Sequence, residues 1–126
     1  MKAAGKGAPV AWMAAPEEKN YLAAQSYLAL AFDEAEVRRA VQALRAAPMT
    51  SFLAKDIFRA SGLSLLGISN GQVDKVRRKI SQGDPLAPVL LVRVPALAKV
   101  VVADGYHRLC AVYGFDEDEP IPCKIA

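Results

Sequence analysis

The stretch Val100-Val101-Val102-Ala103-Asp104-Gly105-Tyr106-His107-Arg108-Leu109-Cys110-Ala111 decides how this chain is read. A β-branched run stops at Asp104-Gly105, and a helix-like pattern begins at once. His107, the only histidine of the 126 residues, stands at that junction beside Arg108. A strand that turns through glycine into a helix leaves the first helical N–H groups unpaired at one point, and such a point attracts anions. Gly105 permits a backbone conformation that a Cβ resists, and lets a ligand come close. Asp104 has two readings, a carboxylate for a divalent cation next to phosphates and an N-cap for the helix. His107 and Arg108 fall in the first turn, where cations oppose the helix dipole; a bound anion compensates that misfit. Arg108, expected at a rim, can grip two phosphate oxygens, and His107 can donate a hydrogen bond or move a proton.

Outward from this junction, Val89 to Val94 and Ala98 to Val102 read as a hairpin of two strands joined through Pro95 to Leu97. The helix after the turn is expected to run to about Tyr113 and stop at Gly114, and Ile121 to Ile125 makes a last short strand. Upstream, Val73, Val76 and Ile80 line one face of a helix that ends at Gly83, with Ser69 and Gln72 as a capping pair. Its other face carries Lys75, Arg77, Arg78 and Lys79, read as a solvated surface. Lys55 to Ser61 reads as a short helix ending at Gly62, after a short strand at Thr50 to Leu53. Tyr21 to Phe32 forms an apolar helix, deeply buried or shared with a second subunit. Asp33 and Glu36 open a second helix as a capping box, and Pro48 marks its stop.

This order, helices first and then strands mixed with helices, predicts an α+β domain. The expected organisation is a disordered leader over 1–15, a helical hairpin over 16–48 and the main domain over 49–126. At 53% hydrophobic residues the composition supports a core, and the net charge of +3 falls short of a dedicated nucleic-acid binder. No apolar run is long enough to cross a bilayer and Met1 to Ala15 is too broken for a secretory signal, so the expected location is cytoplasmic. The cysteines, Cys110 and Cys123, are then reduced thiols. The acidic run Asp116 to Glu119 reads as a solvated face.

The segment Gly83 to Ile125 resembles the ParB/sulfiredoxin superfamily. The resemblance is carried by a helix ending in Ile80 and Gly83, the apolar strand Pro88 to Val94, the Asp-Gly-x-His-Arg junction within Val100 to Val112, and the closing Ile-Pro-Cys-Lys-Ile of 121–125. Phe52 to Ile80 matches more loosely. The wording Ala-Asp-Gly-Tyr-His-Arg is similar to a bacterial branch of the superfamily. The resemblance implies a small mixed sheet with helices, preceded here by the helical hairpin, and nucleotide binding, with Asp104, Gly105, Tyr106, His107 and Arg108 at the phosphates and ATP or CTP with Mg²⁺ as the ligand. Asp104 is the candidate metal ligand, and Asp104 and His107 are the candidate catalytic groups.

The chain departs from each activity of that superfamily. Sulfiredoxins place a reactive cysteine where Tyr106 stands, and Cys110 is expected to face the core, where a thiol is inert. Kinase-type members use a glutamate where this chain reads Ser69-Asn70-Gly71-Gln72. Partition proteins add a DNA reader that this sequence does not show. Three expectations remain. The first is a nucleotide-binding domain with phosphoryl-transfer or nucleotide-hydrolysing activity. The second is a non-catalytic nucleotide-sensing or interaction module, with residues 21–32 as a surface for a homo-oligomer. The third, less favoured, is a small metal-dependent nuclease that uses the basic group for a polynucleotide backbone.

Overall fold

The computed structural model describes residues 10–67 and 70–126. The elements run α1 (Glu18–Leu28), α2 (Glu34–Ala46), β1 (Thr50–Leu53), α3 (Ala54–Ser61), α4 (Gly71–Ser81), β2 (Val89–Val94), a 3₁₀ turn (Pro95–Leu97), β3 (Lys99–Asp104), α5 (Tyr106–Phe115) and β4 (Pro120–Ile125). The sheet has the order β1-β4-β2-β3. β2 and β3 form an antiparallel hairpin, α5 carries the chain across so that β4 lies parallel to β2, and β1 closes antiparallel on β4.

Helices cover both faces of this mixed sheet, which explains why β2 reads as an almost unbroken apolar run. Val89 and Leu91 enter the core shared with α3, α4 and α5, around Ile57, Ile80 and Leu109. Leu90 and Val92 enter the opposite core, under α1 and α2, with Tyr21, Leu28, Val41 and Leu44. The hairpin 16–48 thus packs on the sheet of 49–126 and shares its second core. The fold is α+β in the sense of helices and a small mixed sheet.

Several boundaries differ from the sequence reading, each for a local reason. Residues 11–13 of the expected leader pack along Leu86. Leu86 N–H donates to Ala11 O (2.9 Å) and Met13 N–H to Leu86 O (2.8 Å), so Trp12 bridges Leu86 in parallel; residues 1–9 lie outside the described residues. α1 stops at Leu28, and Leu22, Tyr27 and Leu30 are exposed at 51%, 47% and 84% while Tyr21, Ala24 and Leu28 are buried. The expected deep burial of Tyr21 to Phe32 therefore holds for one side of the helix. The Asp33–Glu36 capping box forms as expected, with both reciprocal hydrogen bonds. At α4 the cap is Asn70, whose side chain accepts from Gln72 and Val73 N–H; Ser69 lies outside the described residues. The Asn70 amide oxygen thus answers two of the open N–H groups at the start of α4.

The acidic run is structural rather than a solvated face. Asp116 is only 6% exposed and its Oδ1 accepts from Asp118 N–H (3.0 Å). The carbonyls of Glu119 and Glu117 accept from Ala54 and Lys55 N–H (3.0 and 2.9 Å), satisfying the open donors of α3. Lys55 Nζ meets Asp118 Oδ1 at 2.6 Å, and this hydrogen bond raises the Lys55 pKa above its ordinary value.

Both cysteines are free and buried, as expected for Cys110. Burial pushes the Cys123 thiol up to about 11 from 9.0. The folded chain then holds its proton where the unfolded chain has lost it, so stability falls as pH rises from 9 to 11. Two pKa units correspond to about 2–3 kcal/mol. Cys123→Ala should flatten that alkaline limb in urea titrations run at pH 8, 9, 10 and 11; an unchanged limb assigns it elsewhere.

Candidate functional site

β3 ends at Asp104, Gly105 takes φ 110° and ψ 16°, and α5 starts at Tyr106 with no side-chain cap. Only the permissive backbone of glycine makes this corner without strain. A Cβ at Gly105 would stand 2.8 Å from Val89 Cγ2 and 2.9 Å from Arg108 Nη2. The space that glycine frees is therefore filled by the chain's own guanidinium, not left open for a ligand.

Asp104 does not cap the helix, since the N-cap is Gly105, and its carboxylate is engaged within the corner. Its Oδ2 accepts from Arg108 Nη2 at 2.8 Å, one helical turn away, and both side chains are largely buried, 14% and 18% exposed. Arg108 Nη2 also donates to the Pro88 carbonyl (3.3 Å). Arg108 is thus folded back against the sheet rather than standing at a rim. The balance of its donors is incomplete: Nε is buried without an acceptor, and among the described residues no bond is made by Nη1.

The sequence-predicted residues divide between two depressions on either side of the first turn of α5. Asp104, Gly105, Tyr106 and His107 line a cleft of about 590 Å³ with Ala23 and Tyr27 of α1 and with Leu63 and Ser64. The Tyr106 hydroxyl donates to the Ser64 carbonyl, which ties the segment after α3 to the corner. Burial, with the Cys110 thiol beside it, raises the Tyr106 pKa. Arg108 lines a different cavity, of about 130 Å³, with Lys79, Lys19, Glu17, Asn20, Val76, Met13, Pro85, Leu86 and Ala87. The expectation that one pocket gathers the whole motif is corrected here. The physical reason is the i, i+4 pairing: Asp104 and Arg108 are one turn apart, and the ion pair draws the guanidinium to the sheet side of the helix.

Sequence reasoning missed Asn20, a buried polar side chain at 5% exposure, whose Oδ1 accepts from Glu17 N–H at 2.7 Å. Its signal was present, since asparagine three residues after Glu17 reads as half of a capping box. Of the basic group on α4, Arg78 pairs with Asp74 (2.8 Å), Arg77 lies over the Phe115 ring at 4.3 Å, and Lys79 borders the small cavity.

The arrangement gives a divalent ion no ready seat. Asp104 is engaged by a guanidinium, and among the described residues no group of three His, Cys, Asp or Glu side chains converges. An oxyanion fits better. Lys79, Lys19 and Arg108 face the small cavity against the one carboxylate of Glu17, and Glu17 lies 3.6 Å from Lys19. A space of 130 Å³ holds about four waters, or one phosphate-sized group. No helix of the described residues is long and apolar enough to cross a membrane. No protein-family model matches the chain, and no curated protein or solved structure matches it.

Proposed function

We propose that this chain is a phosphate-binding module of the ParB/sulfiredoxin type, which takes a nucleotide by a phosphate seated between Arg108 and Lys79. The carrying observation is a mostly buried guanidinium with unused donors, lining a small cavity beside a free ammonium group. A guanidinium without full pairing is costly to bury, and an oxyanion supplies the missing acceptors. Gly105 supports the reading indirectly, because it lets Arg108 fold into this position. The base and sugar of the nucleotide lie outside so small a cavity.

Between the catalytic and non-catalytic readings, the Asp104–Arg108 pair favours binding without turnover. With Asp104 Oδ2 held at 2.8 Å by arginine, only Oδ1 is left for Mg²⁺, and the neighbouring positive charge opposes the ion there. Against the nuclease reading, Arg77 is taken up by the Phe115 ring and Arg78 by an exposed pair with Asp74.

The test is thermal unfolding with ATP, CTP and GTP, each with and without Mg²⁺, and with inorganic phosphate. A ligand at one hundred times its dissociation constant adds about 2.7 kcal/mol. Lys79→Ala, a change at an exposed position, should remove most of the shift and leave the unliganded midpoint within about 0.5 kcal/mol of the parent. Absence of a shift with every ligand, or a shift that survives in Lys79→Ala, overturns the reading. Phosphate release from the bound nucleotide would move it to the phosphoryl-transfer form, and nicking of supercoiled plasmid would move it to the nuclease form.

A further inference from the structure

β3 is a terminal strand, paired only with β2. The pattern along β2 fixes which groups of β3 point outward. Ala126 N–H donates to the Leu91 carbonyl (3.1 Å) and the Ala126 carbonyl accepts from Arg93 N–H (2.6 Å), so Leu91 and Arg93 turn their main-chain groups toward β4. Val92 and Val94 then face β3, and their partners Val101 and Lys99 face back. By alternation, Val100 and Val102 direct N–H and C=O away from the sheet. Among the described residues neither finds a main-chain partner on that side.

The Val102 to Asp104 end of this strand nevertheless lines a cleft and does not lie in open solvent. Val102 is 5% exposed and Ala103 4%. Their side chains belong to opposite cores, yet both residues line the 590 Å³ cleft. What they offer to it is main chain. Covered main-chain groups without partners are costly and uncommon.

We propose that this cleft takes an extended peptide as an added strand on β3, apolar at alternate positions and with a carboxylate at the end beside Gly105 and His107. Another main chain complements the outward N–H and C=O groups of Val100 and Val102 in register, the logic of strand addition. Successive side chains of an added strand point to opposite faces, one set toward Ala23 and Tyr27 of α1 and the other toward Leu63 and Ser64. At the Asp104 end the open N–H groups of α5 and the His107 imidazole favour a negative group. The one carboxylate lining the cleft, Asp104, is neutralised by Arg108.

A second copy of the chain fits this edge poorly. α1 packs over β3, and its Ala23 and Tyr27 reach out to line the cleft. Pairing β3 with its copy would set the strands about 4.8 Å apart. The two α1 helices would then approach closer than the roughly 8–10 Å that packed helices need. One strand slides beneath α1; a second helix-covered sheet does not.

The experiment is a titration of ¹⁵N-labelled protein with seven-residue peptides that carry Val or Leu at alternate positions and end in glutamate, as free acid and as C-terminal amide. In the free protein the Val100 and Val102 amides should exchange with solvent as unprotected groups, and the acid peptide should slow them at least tenfold. Weaker binding of the amide form assigns the carboxylate to the chain end; equal binding, with at least tenfold weaker binding of an amide peptide ending in glutamine, assigns it to the side chain, and no loss with that last peptide overturns the carboxylate recognition. Ala23→Arg, an exposed position on α1, should weaken binding at least tenfold, whereas Lys79→Ala should not change it. Slow exchange of Val100 and Val102 in the free protein, no peptide-dependent shift along β3, or a chain found dimeric through β3 overturns the proposal. Lys79→Ala separates this outcome from a failure of the phosphate site.

Discussion

Gly105→Ala is expected to destabilise the fold by about 2–6 kcal/mol, the largest effect of a methyl added at any of the described glycines. Two costs add. At φ 110° an L-residue sits in a region that only glycine visits freely, a strain of about 1–3 kcal/mol. The new Cβ also meets Val89 Cγ2 at 2.8 Å and the Arg108 guanidinium at 2.9 and 3.3 Å. Val89 is fully buried in the core and has no room to retreat. Arg108 can move only by leaving Asp104. Forcing a side chain into such a place costs about another 1–3 kcal/mol. Urea denaturation of the variant checks the figure. A loss under 1 kcal/mol would mean that the corner relaxes freely and that Arg108 is not locked. Gly62 offers the internal control. It also has positive φ, at 69°, but its Cβ would meet only the Lys99 side chain at 3.5 Å, so Gly62→Ala should carry the backbone strain without the clash.

Much of this corner was legible in the sequence because the signals there are local. A β-branched run, Asp-Gly and an apolar helix pattern each depend on neighbours within a few residues, and β3, Gly105 and α5 follow in that order. Capping at Asp33 was readable for the same reason. Where the reading failed, the deciding contact was distant in sequence or belonged to a side chain with more than one partner to choose from. Arg108 was expected at a rim because an arginine in a first helical turn opposes the dipole. The structure supplies an acid for it inside the fold, Asp104, four residues back, and the guanidinium turns toward the sheet. The acidic run was assigned to solvent because four acids in a row seldom fold inward. Its carbonyls, which composition does not show, cap α3 from more than fifty residues away. Nor does any local pattern reveal that β3 is terminal in the sheet, since strand order depends on where α5 returns the chain. The cleft beside it is a property of topology, and Ala23, Tyr27, Leu63 and Ser64 come to it from segments with no mutual sequence signal.

Arg108→Ala should cost about 3 kcal/mol and abolish phosphate binding, so stability and ligand binding fail together. A surface arginine would give up less than 1 kcal/mol. The difference arises because Asp104 Oδ2 and the Pro88 carbonyl both lose their donor, and because the Asp104 side chain, 14% exposed, keeps a charge with little water to solvate it. The design of the pair makes a direct check available. Asp104→Asn removes that charge, so in the Arg108→Ala background it should recover about 1 kcal/mol or more of the loss, while in the parent chain it should be destabilising. Contacting residues in one network show coupling of this size. The double variant separates the two roles of Arg108. If Asp104→Asn restores stability to Arg108→Ala and the thermal shift with inorganic phosphate does not return, the guanidinium is needed at the ligand itself. If the shift returns, the residue acts only by holding the corner together, and Lys79 with the neighbouring main chain holds the anion without it.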